Sequence, residues 1–261
     1  THTGLERGAL VDLQYRIHTR AGFLPAFAGR EVLARPFPVD EYSLEIRIPA
    51  SRQLLFAGGG FDGEIVTEIV TDGPIKKYAF RFSDLAPLSR EPLAPAGSEP
   101  FLAFSLAPDW AAALPLAGEP CVLPAALADK VDKLRTQNPA LPELLAALQK
   151  IAAVEIRNCG LGIEATGWRS RPLERVAQSN YATRLEKALL LRAMLKKAGI
   201  DSELLAVAAG PDLAVPAATP LQLGEFWLKV PVATAYLDPC REQHEFFPYA
   251  LQGRDAWNFA G

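Results

Sequence analysis

Between Asp84 and Pro124 the chain carries Pro87, Pro92, Pro95, Pro100, Pro108, Pro115, Pro120 and Pro124. Proline has no amide hydrogen and a fixed φ, so neither a helix nor a central strand runs unbroken through such a stretch. The stretch is therefore predicted to wrap along a surface between two domains. Phe101, Leu102, Phe104 and Trp110 within it are expected to bury against one of them. The most apolar window, from Trp110 to Ala128, carries only Glu119 as a charge. Pro115, Pro120 and Pro124 nonetheless each remove a backbone donor that lipid cannot replace, which argues against a membrane span. With 261 residues, 49% of them hydrophobic, the chain has enough apolar surface for one large core or two modest ones. Lys and Arg number 27 against 30 Asp and Glu, for a net charge of −3, which excludes a polybasic nucleic-acid binder and an acidic disordered tail.

Before the prolines the chain alternates. Val11, Leu13, Tyr15 and Ile17 fall on one side of an extended segment and Asp12, Gln14, Arg16 and His18 on the other, the pattern of a half-buried strand. It recurs at Tyr42, Leu44, Ile46 and Ile48, and again from Glu64 to Thr71 and from Ile75 to Phe82, joined by the hairpin signal Asp72-Gly73-Pro74. Antiparallel strands at this spacing predict a β-rich, sandwich-like domain over residues 1–108. His18, on the polar side with no ligand-spaced partner, is expected to be solvated. Gly58-Gly59-Gly60 lacks a phosphate-loop pattern and is followed by a strand rather than a helix, so it is read as a flexible turn.

After the crossing at 109–124, the period changes. Helices are predicted from Ala125 to Arg135 and from Pro142 to Val154. A third starts at the capping box Thr183 and Glu186, carries Leu185, Ala188, Leu189, Leu191, Leu195 and Ala198 at helical spacing, and ends at Gly199. Lys196-Lys197 is its solvated, dipole-compatible end. Strands follow at Glu203 to Ala208, Glu225 to Val230 and Ala235 to Leu237. Because Glu225, Trp227 and Lys229 alternate with Phe226, Leu228 and Val230, both faces of the second strand have something to cover, and it is expected to be central. Helices followed by strands give an α+β domain over 125–261.

Catalytic side chains are scarce. Cys121, Cys159 and Cys240, with His2, His18 and His244, provide no disulfide framework, no CxxC pair and no metal-ligand spacing. No cofactor or metal is implied. The N-terminus has no apolar leader segment and enters a strand pattern almost at once, as a fragment of a longer protein would.

The run Glu155-Ile-Arg-Asn-Cys-Gly-Leu-Gly-Ile-Glu164, then Arg171-Pro-Leu-Glu-Arg-Val176, then Glu186-Lys-Ala-Leu-Leu-Leu-Arg-Ala-Met-Leu-Lys-Lys-Ala-Gly-Ile200 resembles the transglutaminase-like superfamily. Ala21-Gly-Phe-Leu-Pro25 and Arg90-Glu-Pro-Leu-Ala-Pro95 resemble a β-rich domain of unknown function that often precedes it in bacterial envelope proteins, and Leu251-Gln-Gly-Arg254 resembles the segment just past the core. The resemblance implies a transglutaminase-like (papain-like) α+β domain. It also implies a periplasmic or envelope location, peptide or cell-wall-like ligands, and further domains in a longer parent protein. In that family a GDCxDKAxLL motif places a nucleophilic Cys at a helix start, a His lies in a following strand and an Asp ends the next strand.

A thiolate at a helix N-terminus and an imidazole held by a carboxylate are what acyl transfer needs. Here Ala182-Thr-Arg-Leu-Glu-Lys-Ala188 occupies the motif, so Arg184 stands at the Cys position, Glu225 at the His position and Asp238 at the Asp position. A guanidinium is no nucleophile at neutral pH. The resemblance therefore implies a catalytically degenerate member, with Arg184 expected to pair with Glu225, Asp238 or both. Trp168 and Trp227 are candidates to line a groove for an extended ligand. An alternative is a cysteine peptidase, amidase or transglutaminase-type enzyme with a relocated nucleophile, Cys159 or Cys240, served by His244, which would share a face with Cys240 if that stretch is helical. A third reading is a structural module whose cleft is filled by its own side chains.

Overall fold

A computed structural model describes residues 8, 11–60, 65–88, 99–116, 122–210, 213, 216–242 and 248–259. In the first part, the described residues form strands Ala28–Val32 (β1), Val39–Pro49 (β2), Leu55–Gly59 (β3), Val66–Asp72 (β4), Ile75–Leu85 (β5) and Phe101–Ser105 (β6). They make two antiparallel sheets, ordered β1-β6-β3 and β2-β5-β4. The signal at Asp72-Gly73-Pro74 is met by a two-residue turn between Asp72 and Ile75, which face each other in the register, with Gly73 at φ 53°. The alternation of β2 buries Ile46 and Ile48, which join Tyr78, Phe80 and Phe82 of β5 and Leu102 and Phe104 of β6 in one core. Each such side chain contributes about 1.5–3 kcal/mol when fully buried.

The second part holds helices Trp110–Ala113 (α1), Ala125–Gln137 (α2) and Leu141–Lys150 (α3). The last of these runs into a π-helical turn at Ile151–Glu155. Arg157–Asn158 (β7) then pairs in parallel with Tyr181–Ala182 (β8), around the short helices Ile163–Thr166 (α4) and Leu173–Ser179 (α5). Helix Arg184–Lys197 (α6) follows, then Glu203–Ala208 (β9), Leu223–Val230 (β10), Ala235–Leu237 (β11) and Ala256–Asn258 (β12). The four strands form an antiparallel sheet ordered β11-β10-β9-β12, so β10 has a neighbour on each side. Helix α6 is the centre of this part. Ala188, Leu190, Leu191, Met194 and Leu195 are essentially inaccessible and pack with Leu204, Phe226, Leu228 and Leu237 from the sheet and Val131, Leu145 and Leu148 from α2 and α3. The chain is thus α+β, with an antiparallel β-rich N-terminal part. Among the described residues no helix is long and apolar enough to cross a membrane.

Three expectations need correction. Residues 11–20 form no strand, and Val11, Leu13, Tyr15 and Ile17 are 53%, 73%, 78% and 77% exposed. Alternation makes a strand only where a neighbour completes the ladder, and none of the described strands pairs with this segment. Gly58 and Gly59 lie within β3 rather than in a turn, paired with Leu102 and Phe101. A Cβ on Gly59 would come within 3.2 Å of the Phe101 ring, so the missing side chain admits the aromatic neighbour. The proline-crowded stretch is also not a plain crossing: β6, between Pro100 and Pro108, is the central strand of its sheet and buries Leu102 completely. Five residues between flanking prolines suffice for a ladder on both sides.

Candidate functional site

The first turn of α6 is fixed locally. The Thr183 hydroxyl accepts the Glu186 N–H at 3.2 Å and the Glu186 carboxylate accepts the Thr183 N–H at 2.9 Å, the reciprocal box the sequence predicts. Glu186 is 2% exposed and carries more than the cap. Its two oxygens accept a bidentate pair from Arg171 Nε and Nη2 at 2.8 and 2.9 Å, and Oε1 also accepts the Arg171 N–H at 2.9 Å. Burial works to raise the Glu186 pKa, but the bonds from Arg171 and Thr183 outweigh it and hold the carboxyl below its ordinary value. Arg171 also lies over the Tyr181 ring at 4.6 Å, which ties the strand before α6 to its first turn.

This frame sets Arg184 on the exposed side of the helix start, where Nη1 donates to the Gly224 carbonyl at 3.1 Å. The expected pairing of Arg184 with Glu225 and Asp238 is not found: among the described residues no carboxylate lies within 4.0 Å of it. Each carboxylate has a partner elsewhere. Glu225 accepts from Arg254 Nη1 at 2.9 Å and from Trp227 Nε1 at 3.0 Å. Asp238, 8% exposed, accepts the Cys240 N–H at 2.8 Å and meets Arg241 Nε at 3.3 Å. The three positions are nevertheless neighbours, since the charge of Arg184 acts to lower the pKa of both acids. For Glu225 the desolvation of burial is outweighed by Trp227 and Arg254, and its pKa falls. For Asp238 desolvation prevails and its pKa rises.

Beneath them lies Lys187, 1% exposed, whose Nζ donates to the carbonyls of Ala153 and Ile156 at 3.2 and 2.7 Å. These carbonyls belong to the π-helical turn and the residue after it, where the helical ladder is interrupted. Burial lowers the Lys187 pKa, against the smaller opposing effects of Cys240 and Asp238. Gln149 on α3 donates to the Asp238 and Arg241 carbonyls at 2.9 and 3.0 Å and anchors the turn that holds Asp238.

The groove role of the two tryptophans is not what their placement gives. Trp168 is 9% exposed, donates Nε1 to the Pro115 carbonyl at 2.8 Å and stacks on Phe259 with ring centroids 6.3 Å apart. Trp227 is 2% exposed. Both faces of a central strand are covered, so an aromatic side chain on either face is core. The hollow beside Arg184 is a different surface, a recess of about 40 Å³ lined by Leu161, Ile163, Arg169, Leu185 and Phe226 among others.

The relocated-nucleophile constellation also changes. Cys240 lies in a turn after Pro239 rather than in a helix, and His244 lies outside the described residues. Burial, with Asp238 beside it, raises the Cys240 thiol to about 11, against smaller opposing effects of Lys187 and Arg184. Cys159 is half-buried at the end of β7, its N–H donating to the Ala182 carbonyl at 2.9 Å. Cys240 is therefore expected to react with iodoacetamide at neutral pH more than about ten-fold slower than glutathione, because so little of it is thiolate. Time-resolved labelling followed by peptide mass spectrometry checks this, and modification at the pace of glutathione would refute it. Among the described residues no group of three or more His, Cys, Asp and Glu is placed to hold a metal ion.

Sequence patterns assign no role to Arg254 or Lys187. Arg254 meets Glu225 across 29 residues of chain, so no local pattern announces it. Lys187 follows the charged Glu186 in a helix that also carries Arg184, Arg192, Lys196 and Lys197, so nothing in the order of residues marks it as buried.

Residues 1–89 match the family model of a domain of unknown function, DUF3857, for which a structure has been solved. Comparison with curated proteins gives no match. Among solved structures, a candidate protease from Parabacteroides distasonis superposes with a TM-score of 0.73 at 25% identity, over 84% of this chain and 44% of that one. The chain thus spans less than half the length of that protein. The periplasmic domain of TgpA from Pseudomonas aeruginosa aligns over 81% of this chain and 74% of its own at 16% identity, with a TM-score of 0.32, below what a shared fold gives. The matched N-terminal domain and the shared α+β fold support the transglutaminase-like relation that the residues around Arg184 carry in the sequence.

Proposed function

We propose that this chain is a catalytically degenerate transglutaminase-like protein that binds a peptide or cell-wall-like ligand instead of transferring acyl groups. The observation that carries the reading is Arg184. It occupies the helix start where the reaction needs a thiolate, is exposed, has no acidic partner among the described residues, and opens on a recess. A structural module with a filled cleft would show a closed, internally paired cluster at that point. A relocated nucleophile at Cys240 is disfavoured by its thiol at about 11. The reading divides the chain into a β-rich domain over 1–108, a crossing over 109–124 and an α+β domain over 125–261. Two hydrophobic clusters, one around Phe80 and one around Leu190, support that division, although the second also takes in Leu24, Ala26 and Ala107 from the first part. An envelope location rests on the family resemblance alone.

The test is acyl transfer itself. Incubated with a glutamine-containing peptide and a primary amine, the purified chain is expected to release no ammonia above the uncatalysed background. Ammonia release that iodoacetamide abolishes would overturn the degenerate reading and restore a cysteine enzyme.

A further inference from the structure

The recess beside Arg184 has an unusual charge balance. Among its lining residues Arg169 and Arg184 are cationic and none is acidic. The two arginines are not equivalent. Arg169 is anchored through Nε to the Gly22 carbonyl at 2.9 Å and through Nη2 to the Ala21 carbonyl at 3.4 Å. Arg184 makes a single hydrogen bond among the described residues, to the Gly224 carbonyl, and a guanidinium has five N–H donors. The Glu164 carboxylate lies against Gly162 of the lining but forms no ion pair with either arginine among the described residues, so the two arginines still outnumber the acid. The start of α6 is not the source of the field, because Thr183 and Glu186 already satisfy each other there. One free guanidinium matches one negative charge and offers the fork that a carboxylate accepts with both oxygens.

Size and wall chemistry narrow the ligand. The recess is open to solvent, and its volume of about 40 Å³ leaves room for a carboxylate against the guanidinium, with the rest of the ligand lying along the walls. The walls flanking the charge are apolar, from Leu161, Ile163, Leu185, Leu223 and Phe226. We propose that this recess takes the C-terminal carboxylate of a peptide, with Arg184 as its counter-ion and the last side chain against the apolar walls. This rests on the binder reading above and gives it a substrate class.

The 261-residue chain is titrated calorimetrically with acetyl-Ala-Ala-Leu bearing a free C-terminus and with the same peptide as its C-terminal amide. The free acid is expected to bind about ten-fold or more tightly than the amide. Arg184→Gln is expected to erase the difference, Arg184→Lys to keep part of it through charge without the fork, and Glu164→Gln to leave or strengthen it. Circular dichroism melts confirm that the exposed substitutions leave the fold intact. Equal binding of acid and amide overturns the carboxylate assignment while the binder reading stands. Displacement of the peptide by inorganic phosphate at similar concentration makes the recess a general anion site and overturns the peptide assignment. Binding by neither peptide overturns the inference, and the broader binder reading falls with it if chitotriose, a neutral sugar chain, also fails to bind.

Discussion

Trp227→Ala is expected to destabilise the chain by about 3–5 kcal/mol, the largest single effect among the residues around the candidate site. Two losses combine. Trp227 is 2% exposed in the central strand, so its removal leaves a cavity where neighbouring strands limit collapse. Its Nε1 also donates to Glu225, whose other oxygen holds Arg254, so the truncation loosens a partly buried ion pair. Trp227→Phe narrows the two losses: it keeps most of the volume, so the lost bond and a smaller cavity together cost about 1–2 kcal/mol. Urea unfolding followed by tryptophan-independent circular dichroism measures both. A Trp227→Ala variant within about 1 kcal/mol of the parent would mean that the outer face of the sheet is not packed as described.

Glu186→Gln is expected to lower stability by about 2–3 kcal/mol at neutral pH. The carboxylate is nearly inaccessible and accepts from Arg171 and Thr183 at four points, and an amide provides one acceptor oxygen and no charge. Arg171 is 34% exposed, so water offsets part of the loss and the value stays below that of a fully buried pair. The pH dependence distinguishes charge from packing. The folded state holds Glu186 below its ordinary pKa, so its contribution is fully present above the unfolded value of about 4.3 and is lost as pH falls through the folded value. The gap between parent and variant should therefore close on acidification in that window. A gap independent of pH would show that shape, not charge, sets the cost.

Short-range chemistry is legible in the order of the residues. The capping box of Thr183 and Glu186, the turn at Gly73-Pro74 and the end of α6 at Gly199 all concern residues within four positions of one another, and each lies where the pattern puts it. The alternation of β2 is equally legible, because burial follows its period, whereas α6 is buried on nearly every side, Glu186 and Lys187 included, beyond the stripe its spacing predicts. Pairing across distance is not. That Phe101–Ser105 would be a central strand despite its flanking prolines depends on β1 and β3, which offer it ladders from 73 and 46 residues upstream at Ala28 and Leu55, counted from Phe101. The alternation at Val11 to Ile17 misleads for the converse reason: it describes a strand awaiting a neighbour that the described residues do not contain. At the candidate site, the substitutions at Arg184 and Glu225 are visible in order along the chain. Their partners are not, because Glu225 pairs with the distant Arg254 and Arg184 with a backbone carbonyl.

Trp168 bears on how the molecule can be cut. Its two N–H groups find acceptors at Phe23 and Pro115, both outside 125–261, and Gly167 before it, at φ 72°, lies so close to the Phe23 carbonyl that a Cβ there would clash with it. A fragment beginning at residue 125 would strip both acceptors from a nearly buried indole, at about 1–3 kcal/mol for each donor left unmatched. It would also remove the Gly22 and Ala21 carbonyls that hold Arg169 at the rim of the recess. The proposed boundary at residue 125 would thus be a seam in the order of the chain more than in its energetics. A truncated expression product would be a poor surrogate for the whole in any ligand screen.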